Sequence, residues 1–296
     1  MVFIAGPSGS GKTVFGVGLY KFIAGEATLE NDTLDLASGE FPPSIDDLYA
    51  YMLKTGRYPK ATAMEELRLY RFKIPRLIGE PISVEFVDYR GELLRDLPNK
   101  MKKYKDIIAV LSKFGDENFI EKVKKKILRF DDIKRIEVPS DALLDVVYAY
   151  LISQVFTSDK LIFLIDGKKL LKFLKGEDVE IVDDLNIYKR CVTGRKDTCF
   201  VVTKADELDE RFEEETGKTR IDNKKGFIKW IDRKLAKDED TKIPSYVELK
   251  RSGISKIFAT SVKPVKYRGK TGVNVWGFEE VKKWIESTSL LGDRLL

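Results

Sequence analysis

The sequence predicts an α/β fold of three layers. An about six-stranded, mostly parallel sheet with one antiparallel edge strand lies between helices, and helical insertions decorate it. Two observations carry this prediction. Short apolar runs alternate along the chain with stretches of helical periodicity, the pattern of parallel-sheet proteins. Several of those runs (2–5, 161–165, 200–202, 257–259) are continuously apolar, as strands covered on both faces must be.

Val2–Ala5 reads as a buried strand, and Lys12–Ala24 as a helix with Val14, Phe15, Leu19, Phe22 and Ile23 at helical spacing. Ser44 is the expected N-cap of a helix over 45–55, with Asp46 and Asp47 in its first turn and Gly56 past its end. Residues 67–74 alternate apolar and charged, which predicts a half-buried edge strand, and the turn 75–81 pairs it with a second strand over 82–87. A long helical stretch over 93–156 follows, with breaks expected near Gly115, Asp131–Asp132 and Pro139, and Ser140 as the N-cap of its last, apolar helix. The runs 161–165, 200–202 and 257–259 are the remaining strands, and 227–235 and 278–285 are amphipathic helices. No repeat or linker interrupts the chain. The simplest division is a single domain over 1–296 with a helical insert at about 93–157 and a smaller one at about 207–253.

Of 296 residues, 43% are apolar and 34% charged, enough apolar surface for a core and a charge share above the usual level of about 25%. Histidine is absent, which excludes a histidine base, metal ligand or pH switch. Gln154 is the sole glutamine. High charge with scarce Gln, Met and Cys resembles thermophile usage. The net charge of +5 is local: residues 93–130 hold eleven basic and five acidic side chains, so the remainder is near neutral. No stretch is long and apolar enough to span a bilayer, and the N-terminus has no signal-peptide pattern, so the expected location is cytoplasmic. Cys191 and Cys199 fit no zinc spacing. They read as reduced thiols, one at a helix end and one entering a strand, with a disulfide across the intervening loop as the alternative.

Gly6-Pro7-Ser8-Gly9-Ser10-Gly11-Lys12-Thr13 matches G-x-x-x-x-G-K-S/T between a strand and a helix. Small residues let successive N–H groups face one concavity, which binds phosphate oxygens, and the helix N-terminus adds further donors. Lys12 supplies a point charge for β- and γ-phosphates, and the Thr13 hydroxyl is a Mg²⁺ ligand.

Three more motifs follow in order. Asp88-Tyr89-Arg90-Gly91 (D-x-x-G) comes after the strand at 82–87. Thr203-Lys204-Ala205-Asp206 (T-K-x-D) comes after 200–202. Thr260-Ser261-Val262-Lys263, a loop like T-S-A-K, comes after 257–259. With these the chain resembles the P-loop GTPases of the Ras-like and translation-factor-like superclass, over the sheet but not the inserts. The resemblance implies a Ras-like G domain that binds GTP or GDP with Mg²⁺ and works as a molecular switch. It implies that Asp88 reaches Mg²⁺ and that Gly91 contacts the γ-phosphate. It also implies that Asp206 reads guanine, with Thr203, Lys204, Ser261 and Val262 around the base. A carboxylate selects guanine because adenine lacks the paired donors. Two departures stand out: Thr203 replaces the commoner Asn, with loss of some contacts to the phosphate loop, and Val262 replaces Ala. The switch I threonine, a further Mg²⁺ ligand, is assigned to Thr62, with Thr33, Thr55 and a switch without such a threonine as alternatives.

The family's water-orienting glutamine is replaced by Glu92. This carboxylate can accept a hydrogen bond from water but adds negative charge beside the γ-phosphate. The catalytic set is therefore Lys12, Gly91 and Glu92, with slow intrinsic GTP hydrolysis. Asp166 reads as a strand-end cap before it reads as a water ligand, and Arg57 and Arg90 read as surface residues before arginine fingers. A P-loop ATPase or nucleotide kinase, and a nucleotide-binding scaffold without turnover, are the competing readings. The basic segment 93–130, with Phe119, Ile120, Val123, Ile127 and Leu128 as an apolar stripe, reads as a solvated helix face packed on the core. The functional alternative is a contact with an effector or activating protein, an acidic membrane surface or RNA.

Overall fold

The computed structural model describes residues 1–7, 9–25, 29–36, 43–59, 68–76, 79–88, 92–177, 180–191, 197–254, 256–267 and 270–287. In chain order, β1 (Val2–Ala5) leads into α1 (Lys12–Ala24), followed by β2 (Asn31–Asp35), α2 (Ile45–Thr55), β3 (Arg68–Ile74) and β4 (Ile82–Asp88). Helices α3 (Glu92–Lys102), α4 (Tyr104–Leu111), α5 (Glu117–Lys125), α6 (Phe130–Ile133) and α7 (Leu143–Thr157) separate β4 from β5 (Lys160–Asp166). Then come α8 (Gly167–Leu174), α9 (Glu180–Cys191), β6 (Asp197–Thr203), α10 (Asp209–Thr216), α11 (Lys224–Ala236) and α12 (Pro244–Arg251). The chain closes with β7 (Lys256–Ala259), the hairpin β8 (Ser261–Tyr267) and β9 (Lys270–Trp276), and α13 (Phe278–Glu286).

Among the described residues the main sheet has seven strands in the order β2-β3-β4-β1-β5-β6-β7. β4, β1, β5, β6 and β7 are mutually parallel, and β3 runs antiparallel to both its neighbours. The α/β class and mostly parallel sheet are as expected, but the strand count is not. β3, expected at the edge, is internal, because β2 pairs along its outer side. Asn-Asp-Thr-Leu-Asp has no apolar alternation to announce a strand. It is held by its ladder and by charges across it: Arg71 to Asp32 at 3.3 Å and Arg68 to Asp35 at 3.5 Å. A second correction concerns 260–263, read as a loop. Ser261 opens β8, whose lysines and Pro264 hide the strand signal and are tolerated because β8 pairs only with β9.

Strand residues alternate between two cores, as a pleated sheet requires. Val2, Ile4, Tyr70, Phe72, Val84 and Phe86 face α1, α2 and α13. Phe3, Leu69, Val87, Phe163 and Phe200 face the other layer, which holds α3 through α12. Both helical inserts therefore cover one side of the sheet. Ser44 caps α2 in a reciprocal box with Asp47, as expected. Ser140 does not cap α7: it opens a short 3₁₀ turn, and Ala142 takes the cap position. Asp131 and Asp132 lie inside α6 rather than at a break, and the break falls at 126–129. Cys191 and Cys199 are free, buried and on opposite faces of the sheet, so no bridge joins them. Among the described residues, no helix is long and apolar enough to cross a membrane.

Candidate functional site

β1 is the point where the sheet reverses its direction of growth: β4 pairs on one side and β5 on the other. In open parallel sheets a ligand crevice forms at such a point, beyond the carboxyl ends of the strands. The glycine-rich loop leaves β1 there. Gly9 and Gly11 both hold left-handed conformations, φ 74° and 75°, which side chains disfavour. A Cβ on Gly6 would lie 2.4 Å from Ser10 Oγ and 3.0 Å from Leu164 Cβ, so the loop entrance admits only glycine. Ser10 Oγ donates to the Pro7 carbonyl at 2.9 Å, tightening the turn.

Lys12 is buried, and its Nζ donates to the carbonyls of Gly6 (2.9 Å) and Pro7 (3.1 Å), so it is curled over the loop. Burial lowers its pKa to about 8, against the opposing pull of Asp88 and Asp184. Asp88, at the end of β4, is also buried. Thr13 opens α1 beside Lys12. Asp88 and Thr13 form a hard oxygen donor set with few protein ligands. This suits Mg²⁺, which takes one or two protein oxygens and completes its shell with water and phosphates. Among the described residues no cluster of three or more metal-ligating side chains occurs.

The T-K-x-D segment reaches the same loop. The Thr203 hydroxyl donates to Ser10 O at 2.7 Å and lies 3.2 Å from Ile165 O. Threonine thus keeps one contact with the glycine-rich loop. Lys204 adopts φ 49°, unusual for a side-chain-bearing residue. Its Nζ bridges Gly9 O (2.6 Å) and Asp166 Oδ2 (2.7 Å). Asp166 is a cap as expected: its Oδ1 accepts from the Lys168 N–H at 2.8 Å at the start of α8. Gly167 is required here, because a Cβ would sit 2.5 Å from the carbonyls of both Thr203 and Lys204. Ser261 Oγ donates to Asp206 Oδ1 at 2.6 Å, and Lys263 Nζ stands 3.8 Å from Oδ2, so the hairpin start orients that carboxylate.

A cavity of about 390 Å³ is lined by Gly9 and Gly11 of the glycine-rich loop and by Thr203, Lys204, Asp206 and Val262, while Lys12, Thr13 and Asp88 are not part of its wall. Tyr58 and Pro59 complete its wall, and sequence reasoning missed both. Burial, with the carboxylates of Asp206 and Glu207, pushes the Tyr58 phenol upward. The available signal was an aromatic-proline pair just past the helix stop at Gly56. Glu207 and Lys168 also line the cavity and carried no motif.

Ser8, Thr62, Arg90 and Gly91 lie outside the described residues, as does the side chain of Glu92, whose backbone opens α3. The two threonines named as alternatives to Thr62 lie in β2 and at the end of α2. Thr33 sits in the β2 ladder opposite Tyr70. The Thr55 hydroxyl donates to Tyr51 O at 2.7 Å at the end of α2. Gln154 is fully buried and donates to Leu128 O at 3.1 Å, inside the insert.

The insert itself packs inward. Phe119, Ile120, Val123 and Leu128 are buried, and only Ile127 of the expected stripe is exposed. Lys122 and Lys125 are paired with Asp132 and Glu121. Tyr150 of α7 donates to Glu85 of β4, fastening the insert to the strand that carries Asp88. No protein-family model, curated protein or solved structure matches this chain.

Proposed function

We propose that this protein is a Mg²⁺-dependent guanine-nucleotide-binding switch with slow intrinsic GTP hydrolysis. The observation that carries the reading is a cavity whose wall contains both Gly9 and Gly11 of the glycine-rich loop and Asp206. Its volume lies in the range of small-ligand sites. The left-handed glycines and the start of α1 suit phosphate oxygens. Asp206, fixed by Ser261, is an acceptor-only group suited to the N1–H and 2-amino donors of guanine. Asp88 and Thr13 would hold Mg²⁺, which would neutralise phosphate charge. Slow turnover follows from composition: histidine is absent, and the sole glutamine is buried in the insert.

Competition against labelled GTP tests the assignment. Unlabelled GTP and GDP are expected to compete, and ATP to compete poorly. Equal competition by ATP would favour an ATPase or kinase. Asp206→Asn is expected to weaken GTP and admit xanthine nucleotides, since the amide can donate where the carboxylate only accepts. Single-turnover assays are expected to show slow hydrolysis, and rapid unassisted turnover would sink the switch reading. Exposed Lys102, Lys103, Lys105 and Lys124 give the insert a basic face for an acidic effector or activating protein, close in sequence to Asp88–Glu92.

A further inference from the structure

A charged cluster beside the glycine-rich loop plays no part in the reading above. Asp184 of α9 is 6% exposed. Its Oδ2 accepts from Lys169 Nζ at 3.2 Å, while its Oδ1 has no hydrogen-bond partner. Lys169 also meets Glu180 Oε2 at 2.8 Å. Arg95, in the first turn of α3, stands 3.8 Å from Glu180 Oε2 and 4.0 Å from Asp184 Oδ1. Lys169 is thus closed onto the acidic pair, and Arg95 is held at the outer limit of ion pairing.

The acidic pair sits on a rigid base. Tyr188 of α9 donates to Leu164 O at 2.6 Å, and Leu164 is the residue that packs against Gly6. Lys169 lies on α8, whose cap Asp166 is joined through Lys204 to Gly9. Asp184 and Lys169 both act electrostatically on Lys12. α3 differs: it begins directly after Gly91, the residue assigned to the γ-phosphate, and it packs on α9.

A buried carboxylate oxygen without a partner is costly, and polyphosphate beside Lys12 adds negative charge to the same field. Both effects increase the demand for positive charge at Asp184, and Arg95 is placed to meet it. We propose that Asp184, with Glu180 and Lys169, is the docking point for Arg95, and that bound triphosphate draws Arg95 onto it and tightens the first turn of α3 against α9. Asp184 and Arg95 are then positioning residues that couple the phosphate end of the site to the helix after D-x-x-G without touching nucleotide. The inference rests on the guanine-nucleotide reading.

The test measures the affinities of the full-length protein for GDP and for a non-hydrolysable GTP analogue, by displacement of fluorescent GDP. Arg95→Gln and Asp184→Asn are each expected to lower the preference for triphosphate over diphosphate by about 3–10-fold. The double variant is expected to lose no more than the larger single loss, because both remove one contact. Arg95→Lys, which keeps the charge, is expected to recover part of the preference. Unchanged ratios in both single variants, or additive losses, would overturn the inference while leaving nucleotide binding intact. Failure of the wild-type protein to bind guanine nucleotide would remove the underlying reading and this inference together. If Asp184→Asn does not fold, Glu180→Gln, at a half-exposed position, takes its place in the cycle.

Discussion

Replacing Thr203 with valine removes one hydroxyl and keeps the side-chain shape. The wild-type hydroxyl is buried and donates to Ser10 O at 2.7 Å. Valine leaves that carbonyl without this donor inside the protein. The loss of one buried partner costs about 1–3 kcal/mol. For a chain of this size that corresponds to a fall in Tm of about 2–10 °C. Ser10 lies between Gly9 and Gly11, whose N–H groups are assigned to phosphate, so the same change loosens the concavity. Nucleotide affinity is expected to fall about fivefold, the equivalent of about 1 kcal/mol. Thr203→Ser keeps the hydroxyl and is expected to stay near wild type in affinity. Thermal unfolding with and without GDP, and fluorescent-nucleotide titration, read both effects. Wild-type Tm and affinity in Thr203→Val would refute the claim that this hydroxyl ties the T-K-x-D segment to the glycine-rich loop.

Three further outcomes follow from the geometry. Gly167→Ala places a Cβ 2.5 Å from two backbone carbonyls that cannot rotate away, so a loss of about 2 kcal/mol or more and weakened GTP binding are expected by denaturant titration. Lys12 ionises at about 8 when folded against 10.5 ordinarily, so the unfolded chain binds more protons between those values. Its contribution to stability therefore rises with pH from about 8 to 10.5. Nucleotide binding runs the opposite way, because phosphate favours charged Lys12. Affinity is expected to decline above about pH 8 by at most about tenfold per unit, and a flat titration between pH 7 and 9 would contradict this. Arg220 donates to both oxygens of Asp209 (2.6 and 3.0 Å) and lies 4.2 Å over the Trp276 ring, so Arg220→Lys is expected to lower Tm despite keeping the charge.

Much of the fold was legible because its signals are local. The ranges of β1, α1 and α2 follow from a continuous apolar run, helical periodicity and a capping box, each contained within about a dozen residues. β2 and the β8–β9 hairpin were not legible. Their sequences are polar or interrupted, and they are strands because a partner strand supplies the hydrogen bonds and charges. The inward orientation of the basic insert was legible: its apolar stripe at helical spacing reads as packed on the core, and Phe119, Ile120, Val123 and Leu128 are buried there.

The candidate site divides in the same way. The sequence by itself determined the glycine-rich loop and the order of the motifs, because the left-handed turns at Gly9 and Gly11 favour glycine and each motif is a short run of neighbouring residues. Only the tertiary structure decided that Thr203 grips Ser10, that Lys204 bridges Gly9 and Asp166, that Tyr58 walls the cavity, and that Asp184 faces Arg95. Those contacts join residues tens to hundreds of positions apart. Their energies depend on burial and on distances of a few ångströms, which chain order does not encode.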